Sequence, residues 1–292
     1  MKQFFKHIFP TLFLISIIVA CEKEYDSIET IDDKNITAYI QANKLNMVEY
    51  QDSGIYYEVI TPGSGADVEY SDQVALLLTI KSLDGKYTSL DTFNVSNRYY
   101  DFLGYFNPEG VRIGVKEVLK KKSGVLRMVI PSRLAFGRNG NSNIPGNASL
   151  DIKVTVLDKN KLREYEDFGI RKYLTTKGLS GFTKTSSGIY YKITDPGTKS
   201  SIAIDSTITV EYSGKFLNGV EFDKAIVGNG YTSQLDRFIE AWKEIVPLIK
   251  EGGSLHLITP SSSAYGVQGD RTSGMPAFSS LDFTLKVTDV KQ

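Results

Sequence analysis

A long internal repeat constrains the fold of this chain more than any other feature of its sequence. The pentapeptide SGIYY at residues 53–57 recurs at 187–191, and a Pro-Gly turn follows each copy, at 62–63 and 196–197. The offset between the copies is about 130 residues, whereas solenoid repeats have periods of about 20 to 50 residues. The sequence therefore predicts two homologous domains in tandem, called here the first copy and the second copy.

Each copy has a pattern dominated by β-strands. Residues 207–212, 254–259 and 281–290 alternate apolar and polar side chains, as half-buried strands do. One helical face interrupts them at 234–249, where Pro247 should kink or end the helix. A short amphipathic helix precedes each copy. We therefore predict the α+β class, with two tandem domains that each wrap an antiparallel β-sheet on one short α-helix and follow a short helix.

The N-terminus has the pattern of a bacterial export signal. Lys2 and Lys6 flank the start of an apolar run, residues 8–20, which at roughly 13 residues is shorter than the ~20 residues of a membrane-spanning helix. The last residues of this run and Cys21 (IVAC) resemble a bacterial lipobox. The resemblance implies a lipoprotein signal peptide at 1–20, lipidation of Cys21, and a membrane partner held through the acyl chains.

Residues 21–34 are polar and acidic with no apolar period, so we predict a flexible tether. The acidic cluster beside Cys21 resembles the surface-export signals of Bacteroidetes lipoproteins. A solvated spacer on a periplasm-facing lipoprotein is the alternative. The expected location is the cell envelope, with a lipid anchor in the outer membrane. The sequence does not decide between the periplasmic face and the cell-surface face of that membrane.

The balance of charges and reactive side chains excludes several classes of function. The chain has 34 basic and 34 acidic residues and no basic block, which argues against nucleic-acid binding. Its one cysteine and its two histidines, His7 and His256, are too few for a disulfide, a Cys/His zinc site or a paired Cys–His catalytic centre.

The second copy resembles the FKBP-type peptidyl-prolyl cis-trans isomerases. Five segments agree with family motifs in order and at nearly the family spacing. The segments are 210–214 (VEYSG), 219–223 (GVEFD), 235–242 (LDRFIEAW), 260–266 (PSSSAYG) and 275–283 (MPAFSSLDF). The resemblance implies a degenerate FKBP-like domain at 35–160 and an isomerase domain at 161–292. It implies no cofactor, and its substrates would be Xaa-Pro segments of envelope or secreted proteins.

The resemblance also assigns roles to individual residues. Trp242 would form the floor under the substrate proline, with aromatic walls around it, and the Ile239 N–H and Tyr265 hydroxyl would bind substrate carbonyls. Asp223 would accept a hydrogen bond near the substrate or order Tyr212. The implied catalytic residues are Tyr212, Phe222, Asp223, Ile239, Trp242, Tyr265 and Phe283, and the implied rim residues are Tyr231, Phe238, Met275 and Phe278.

The first copy resembles the same family with its site removed. Smaller or apolar residues replace the floor, walls and hydroxyl donor, so we expect little or no isomerase activity from it. The replacements are Leu78, Leu90, Phe136 and Ile152, with Val115 or Ile113 in place of the tryptophan, while Asp91 keeps the aspartate. The aromatic stretch 94–109 suits either a protein interface or the filling of the space that the tryptophan leaves.

Two functions from different classes fit these observations. The first is a lipid-anchored extracytoplasmic prolyl isomerase and folding helper whose activity lies in the C-terminal domain. The second is a non-catalytic FKBP-like lipoprotein that acts as a subunit of an envelope assembly. An open pocket argues for the first function, and a pocket blocked by its own flap argues for the second.

Overall fold

The computed structural model describes residues 26–89, 97–270 and 272–291. The predicted signal peptide, Cys21 and the start of the predicted tether lie outside these ranges, and within them no helix is long and apolar enough to cross a bilayer. The helices are α1 (Ile28–Ala42), α2 (Glu109–Ile113), α3 (Leu162–Thr176) and α4 (Glu240–Ile245). The strands of the first copy are β1 (Val48–Glu49), β2 (Tyr56–Thr61), β3 (Ser64–Asp67), β4 (Gln73–Ser82), β5 (Arg98–Phe102), β6 (Lys121–Lys122), β7 (Val125–Ile130) and β8 (Leu150–Leu157). Those of the second copy are β9 (Thr183–Lys184), β10 (Tyr190–Asp195), β11 (Thr207–Phe216), β12 (Glu221–Ala225), β13 (Tyr231–Gln234), β14 (Ser254–Thr259) and β15 (Leu281–Lys291).

The two copies form separate antiparallel sheets with equivalent strand order. The first sheet runs β1-β2-β7-β8-β4-β5, and the second runs β9-β10-β14-β15-β11, with β12 and β13 both paired to β11. The edge strands β5 and β13 pair with β4 and β11 in the same antiparallel sense. The predicted α+β class with antiparallel sheets is therefore confirmed. The predicted boundary at 160/161 lies in a 3-10 turn, Lys159–Lys161, between the two sheets.

An equivalent hydrogen bond docks the helix that precedes each sheet. The Tyr39 hydroxyl on α1 donates to Asp151 on β8 at 2.8 Å. The Tyr173 hydroxyl on α3 donates to Asp282 on β15 at 2.6 Å. All four side chains are largely buried. The duplication therefore includes the preceding helix and the way it packs on its sheet.

The prediction of a flexible tether is wrong for residues 28–34, because they form the first half of α1. The Ser27 side chain caps this helix. Asp32 is buried, and its carboxylate accepts hydrogen bonds from the Ser132 backbone N–H at 2.9 Å, the Ser132 hydroxyl at 2.7 Å and the Ser149 hydroxyl at 2.7 Å. A carboxylate that satisfies three donors inside the fold is a docking contact rather than part of a solvated spacer.

The central helix of the second copy is shorter than the predicted span. α4 ends at Ile245, and residues 246–248 continue as a 3-10 turn that contains Pro247. Proline supplies no N–H to the helix and clashes with the preceding turn, so the predicted break occurs there. The buried residues Ala241 and Trp242 pack α4 into the core formed by β11, β14 and β15.

A buried arginine joins the two copies. The Arg98 guanidinium on β5 donates to the Phe278 carbonyl oxygen at 2.8 Å. It also lies over the rings of Tyr165 and Phe278, at 5.9 and 5.7 Å from their centroids. Burial lowers the pKa of Arg98, and the charges of Tyr165 and Glu166 oppose this change. Leu162 of α3 packs in the same cluster, so the two sheets share an apolar contact in addition to their own cores.

Candidate active site

The second copy carries an open cavity of about 840 Å³ beside the start of α4. It lies between β11, β12, β13 and the loop that follows β14. The structure brings most of the predicted site residues to this cavity. Those that line it are Tyr212, Asp223, Tyr231, Phe238, Ile239, Trp242, Tyr265 and Phe283.

Trp242 lies at the base of the cavity, between two aromatic rings that contact it edge-on. The Tyr212 ring is 5.2 Å from the indole and the Phe283 ring is 5.5 Å from it, both at an interplanar angle of 86°. Edge-to-face contacts are a favourable arrangement for aromatic pairs. They fix the indole against β11 and β15, so the floor is rigid on those sides.

Tyr212 and Asp223 form a hydrogen-bonded pair on the neighbouring strands β11 and β12. The Tyr212 hydroxyl donates to Asp223 Oδ2 at 2.6 Å, and Asp223 Oδ1 accepts the Lys224 backbone N–H at 2.8 Å. Burial, followed by the Asp223 hydrogen bond and charge, raises the pKa of Tyr212. The phenol therefore stays protonated and oriented at neutral pH. Of the two roles left open for Asp223, this geometry favours the ordering of Tyr212.

Besides the buried Trp242 Nε1–H, two hydrogen-bond donors of residues that line the cavity have no partner in the described part of the chain. Ile239 is the N-cap residue of α4, with an extended backbone, and its N–H donates to no group there. The Tyr265 hydroxyl makes no hydrogen bond to the described residues either. Its ring is 36% exposed, and burial, with the charges of Asp223 and Asp270, raises its pKa. Both donors are available to a bound carbonyl group.

Phe222 lies behind the cavity wall and does not line the cavity. Its ring contacts the Phe283 ring edge-on at 5.7 Å and the Phe216 ring at 5.0 Å. Gly214 makes this packing possible, since a Cβ there would lie 2.7 Å from Phe283 and 2.9 Å from Phe222. Gly214 is a contributor that the sequence reasoning missed. A glycine inside a predicted strand is the signal for such a close approach.

The rim of the cavity combines aromatic and cationic side chains. Tyr231 is 53% exposed and contacts Phe238 edge-on at 5.8 Å. Lys224 and Arg237 also line the cavity and were not predicted as site residues. Lys224 forms an ion pair with Glu221 at 2.8 Å. Charged residues next to a pocket motif are common on any surface, so the sequence held no specific signal for these two.

The rim assignments of Met275 and Phe278 require correction, because neither residue lines the cavity. Met275 is buried in the core of the second copy. Phe278 is fully buried against the first copy, where it packs with Ala75, Leu162 and Ala277. Their loop turns away from the cavity because the first copy offers it an apolar surface. That contact depends on the neighbouring domain, which local motif spacing does not report.

The equivalent place in the first copy is filled by aliphatic side chains. The third residue of α2, equivalent to Trp242 in α4, is Val111, so the assignment of this place to Val115 or Ile113 is wrong. The misplacement arises because the sequence comparison put its gap in the wrong position. Leu78, Val111 and Ile152 are all buried in the core. Leu90 and Asp91 lie outside the described residues.

The aromatic stretch at 94–109 was predicted either to fill the space that the tryptophan leaves or to form a protein interface, and its residues differ in burial. Phe106 is buried in the core of the first copy, and Tyr100 packs in the contact between the copies. Tyr99, Phe102 and Tyr105 remain exposed, the last of them by 74%. One part of the stretch therefore fills space, and the use of the exposed part as a partner surface stays a prediction.

Comparison with known proteins finds relatives of the second copy. The family described as FKBP-type peptidyl-prolyl cis-trans isomerase matches residues 198–288. The isomerase FkpA of Buchnera aphidicola subsp. Acyrthosiphon pisum is 37% identical over 113 residues, which cover 38% of this chain and 46% of that protein. FkpA of Escherichia coli K12 is 34% identical over 133 residues, which cover 45% of this chain and 46% of that protein.

The crystal structure of FkpA from Escherichia coli matches with 28% identity and a TM-score of 0.40, over 46% of this chain and 62% of that one. The chain spans about half the length of the curated relatives that it matches. Residues 198–288 are therefore similar to the family of FKBP-type peptidyl-prolyl cis-trans isomerases.

Proposed function

We propose that this chain catalyses the cis–trans isomerisation of Xaa-Pro bonds in the cavity of its second copy and thereby assists protein folding. The observation that carries the proposal is the cavity itself. It combines an aromatic floor and walls with two unpartnered donors, the Ile239 N–H and the Tyr265 hydroxyl. These features lie inside the segment that matches the isomerase family.

The reaction suits a site of this composition. Rotation about a peptide bond meets a barrier of about 18 to 20 kcal/mol, because the twisted amide loses resonance. No covalent bond is made or broken, so the site needs no nucleophile. An apolar cavity that removes water from the amide disfavours the planar, charge-separated form relative to the twisted form.

Each lining group has a physical part in this scheme. Trp242 and Phe283 provide apolar surface for the proline ring. The Ile239 N–H and the Tyr265 hydroxyl hold substrate carbonyls on either side of the rotating bond. Asp223 acts through Tyr212, whose hydroxyl it holds at 2.6 Å, so it keeps one wall of the cavity in place.

The alternative, a non-catalytic docking subunit, calls for a cavity closed by its own flap. The observation that bears on it is the position of Phe278, which is buried against the first copy and leaves the cavity open. This arrangement favours catalysis. The open cavity does not depend on any residue of the first copy for its lining.

The proposal is tested by the rate at which an Xaa-Pro peptide relaxes from cis to trans in the presence of the full chain. We expect acceleration by the wild type and at least about a tenfold loss of kcat/KM in Trp242→Leu, which corresponds to about 1.4 kcal/mol of transition-state binding. The matched control is Val111→Ala at the equivalent helix position of the first copy, which should keep the wild-type rate. Absence of acceleration by the wild type would refute the enzyme proposal and leave the docking function.

We further propose that the mature chain is anchored to a membrane of the cell envelope through lipidated Cys21, with clients among envelope or secreted proteins. The support is the sequence pattern at residues 1–21, an apolar run too short to span a bilayer followed by the only cysteine. Fractionation of cells that express Cys21→Ser tests the anchor. The variant should move from the membrane to the soluble fraction, and its retention in the membrane would count against lipidation.

A further inference from the structure

The floor of the cavity is covered by a neighbouring ring. Phe238 is stacked on Trp242, with ring centroids 4.9 Å apart and an interplanar angle of 14°. Trp242 is only 2% exposed although it lines a cavity of about 840 Å³. The cavity is therefore open at its rim while the indole face is largely shielded. A proline ring that packs on this indole needs the surface that Phe238 now occupies.

The position of Phe238 in the chain leaves its ring free to move. Residue 238 has an extended backbone, φ −84° and ψ 172°, between the 3-10 turn Leu235–Arg237 and α4. Its side chain is only partly buried, and it contacts Tyr231, which is itself 53% exposed. Phenylalanine makes no side-chain hydrogen bond, so rotation of the ring toward the rim gives up only the packing of a partly buried side chain. A stacked aromatic pair of this kind favours the covered state by roughly 2- to 13-fold.

The first copy has a buried phenylalanine, Phe106, at the position equivalent to Phe238. Phe106 follows the 3-10 turn Leu103–Tyr105, as Phe238 follows the turn Leu235–Arg237. It makes the same edge-on contact with a tyrosine, Tyr99, at 6.0 Å. Phe106 is 5% exposed and belongs to the core. Phe106 shares this core cluster with Val111, the third residue of α2.

We propose that Phe238 is a gate for substrate: its ring rests on the Trp242 indole in the free protein and rotates off before a proline ring binds there. This inference rests on the proposed isomerase function and deepens it. Because only the uncovered fraction of molecules can bind, the gate weakens the apparent affinity for Xaa-Pro peptides by that fraction.

The test compares Phe238→Val with the wild type in the full chain, using a proline-containing peptide as the probe. Trp242 is the only tryptophan of the chain, so its fluorescence reports on the floor directly. We expect stronger quenching by acrylamide in the variant, peptide binding tighter by about 3- to 10-fold, and a matching fall in KM with kcat within about twofold, because the gate acts on binding rather than on rotation. Phe238→Leu should give intermediate values. Phe168→Val, which changes an exposed ring on α3, is the matched control and should leave all three quantities unchanged.

Two results would overturn the gate. Unchanged quenching and unchanged affinity would show that Phe238 does not cover the indole in solution. Weaker peptide binding would show that Phe238 is a wall that substrate contacts rather than a cover that it displaces. Failure of the isomerase proposal is distinguishable from both, since it appears as a wild-type chain without activity while the quenching comparison still decides whether the floor is covered.

Discussion

The two copies share one strand order but differ at the third residue of their central helix, which is Trp242 in the second copy and Val111 in the first. Around Trp242 the structure leaves a cavity with unpartnered donors. Around Val111, aliphatic side chains and Phe106 form a closed core. This sheet-and-helix fold therefore forms without the pocket. The pocket is an additional feature of the second copy, and Trp242 lies at its base.

A second difference between the copies lies in the strand that supports the pocket wall. Gly214 in the second copy pairs with Phe283, and Ile80 in the first copy pairs with Ile152. The glycine leaves room for the rings of Phe283 and Phe222, which contact each other edge-on, whereas the isoleucine fills that space itself. The aromatic side chains of the wall therefore depend on the glycine that pairs with Phe283.

The largest effect expected from this comparison comes from exchanging these two residues. Gly214→Ile places side-chain atoms closer than van der Waals contact to Phe283 and Phe222, so it should lower kcat/KM by at least about tenfold and destabilise the chain by about 1 to 3 kcal/mol. The reciprocal Ile80→Gly opens a cavity in the first copy and should cost about 2 to 5 kcal/mol with kcat/KM unchanged. Peptide relaxation kinetics and urea unfolding measure the two effects. Wild-type activity in Gly214→Ile would break the link between the wall and catalysis.

A smaller effect is expected at the helix-docking contacts, where the copies differ in the side chain beside the aspartate. Asp151 also binds the Arg127 guanidinium, at 2.6 and 3.0 Å, whereas Asp282 faces His256 Nε2 at 2.6 Å. Tyr39→Phe and Tyr173→Phe should each cost about 1 to 3 kcal/mol at pH 8, because a buried carboxylate loses a donor. Tyr173→Phe should cost more, since Arg127 keeps two charge-assisted bonds to its aspartate.

These tyrosines also predict a pH dependence. Burial, followed by the Asp151 hydrogen bond and charge, raises the pKa of Tyr39 to about 12, and burial and Asp282 raise the pKa of Tyr173 in the same way. The folded chain therefore keeps protons that the unfolded chain loses near pH 10, and the resulting stability is present below pH 10 and lost as pH rises from 10 to 12. Urea midpoints measured across this range should fall for the wild type, and less steeply for each Phe variant. Equal slopes in all three proteins would contradict the buried hydrogen bonds.

Much of the architecture follows from the sequence because periodicity and repetition are local signals. The repeat at 53–57 and 187–191 predicts two equivalent domains, the alternation in β11 and β15 predicts antiparallel strands, and Pro247 predicts the end of the central helix. The site aromatics follow from motif spacing. The start of α1 was missed, although the spacing between Asp32 and Glu166 equals that between Tyr39 and Tyr173 and places both carboxylates on the repeated helix.

The contacts between the two copies could not be predicted from the sequence. Arg98 donates to the Phe278 carbonyl oxygen, 180 residues away in sequence, and this role appears only when the Phe278 loop packs on the first copy. The same contact explains why Phe278 does not lie at the rim of the cavity, where it was predicted. The flat stacking of Phe238 on Trp242 depends on a side-chain rotation, which spacing alone does not determine.

We propose that the second copy alone holds a peptide-binding site. Nuclear magnetic resonance of the isotopically labelled full chain, titrated with an Xaa-Pro peptide, tests this proposal directly. We predict shifts at the Ile239 amide and at the Trp242 and Tyr265 rings, with the signals of Val111 and Phe136 unchanged. Shifts of similar size at Val111 and Phe136, or none at Trp242, would contradict it.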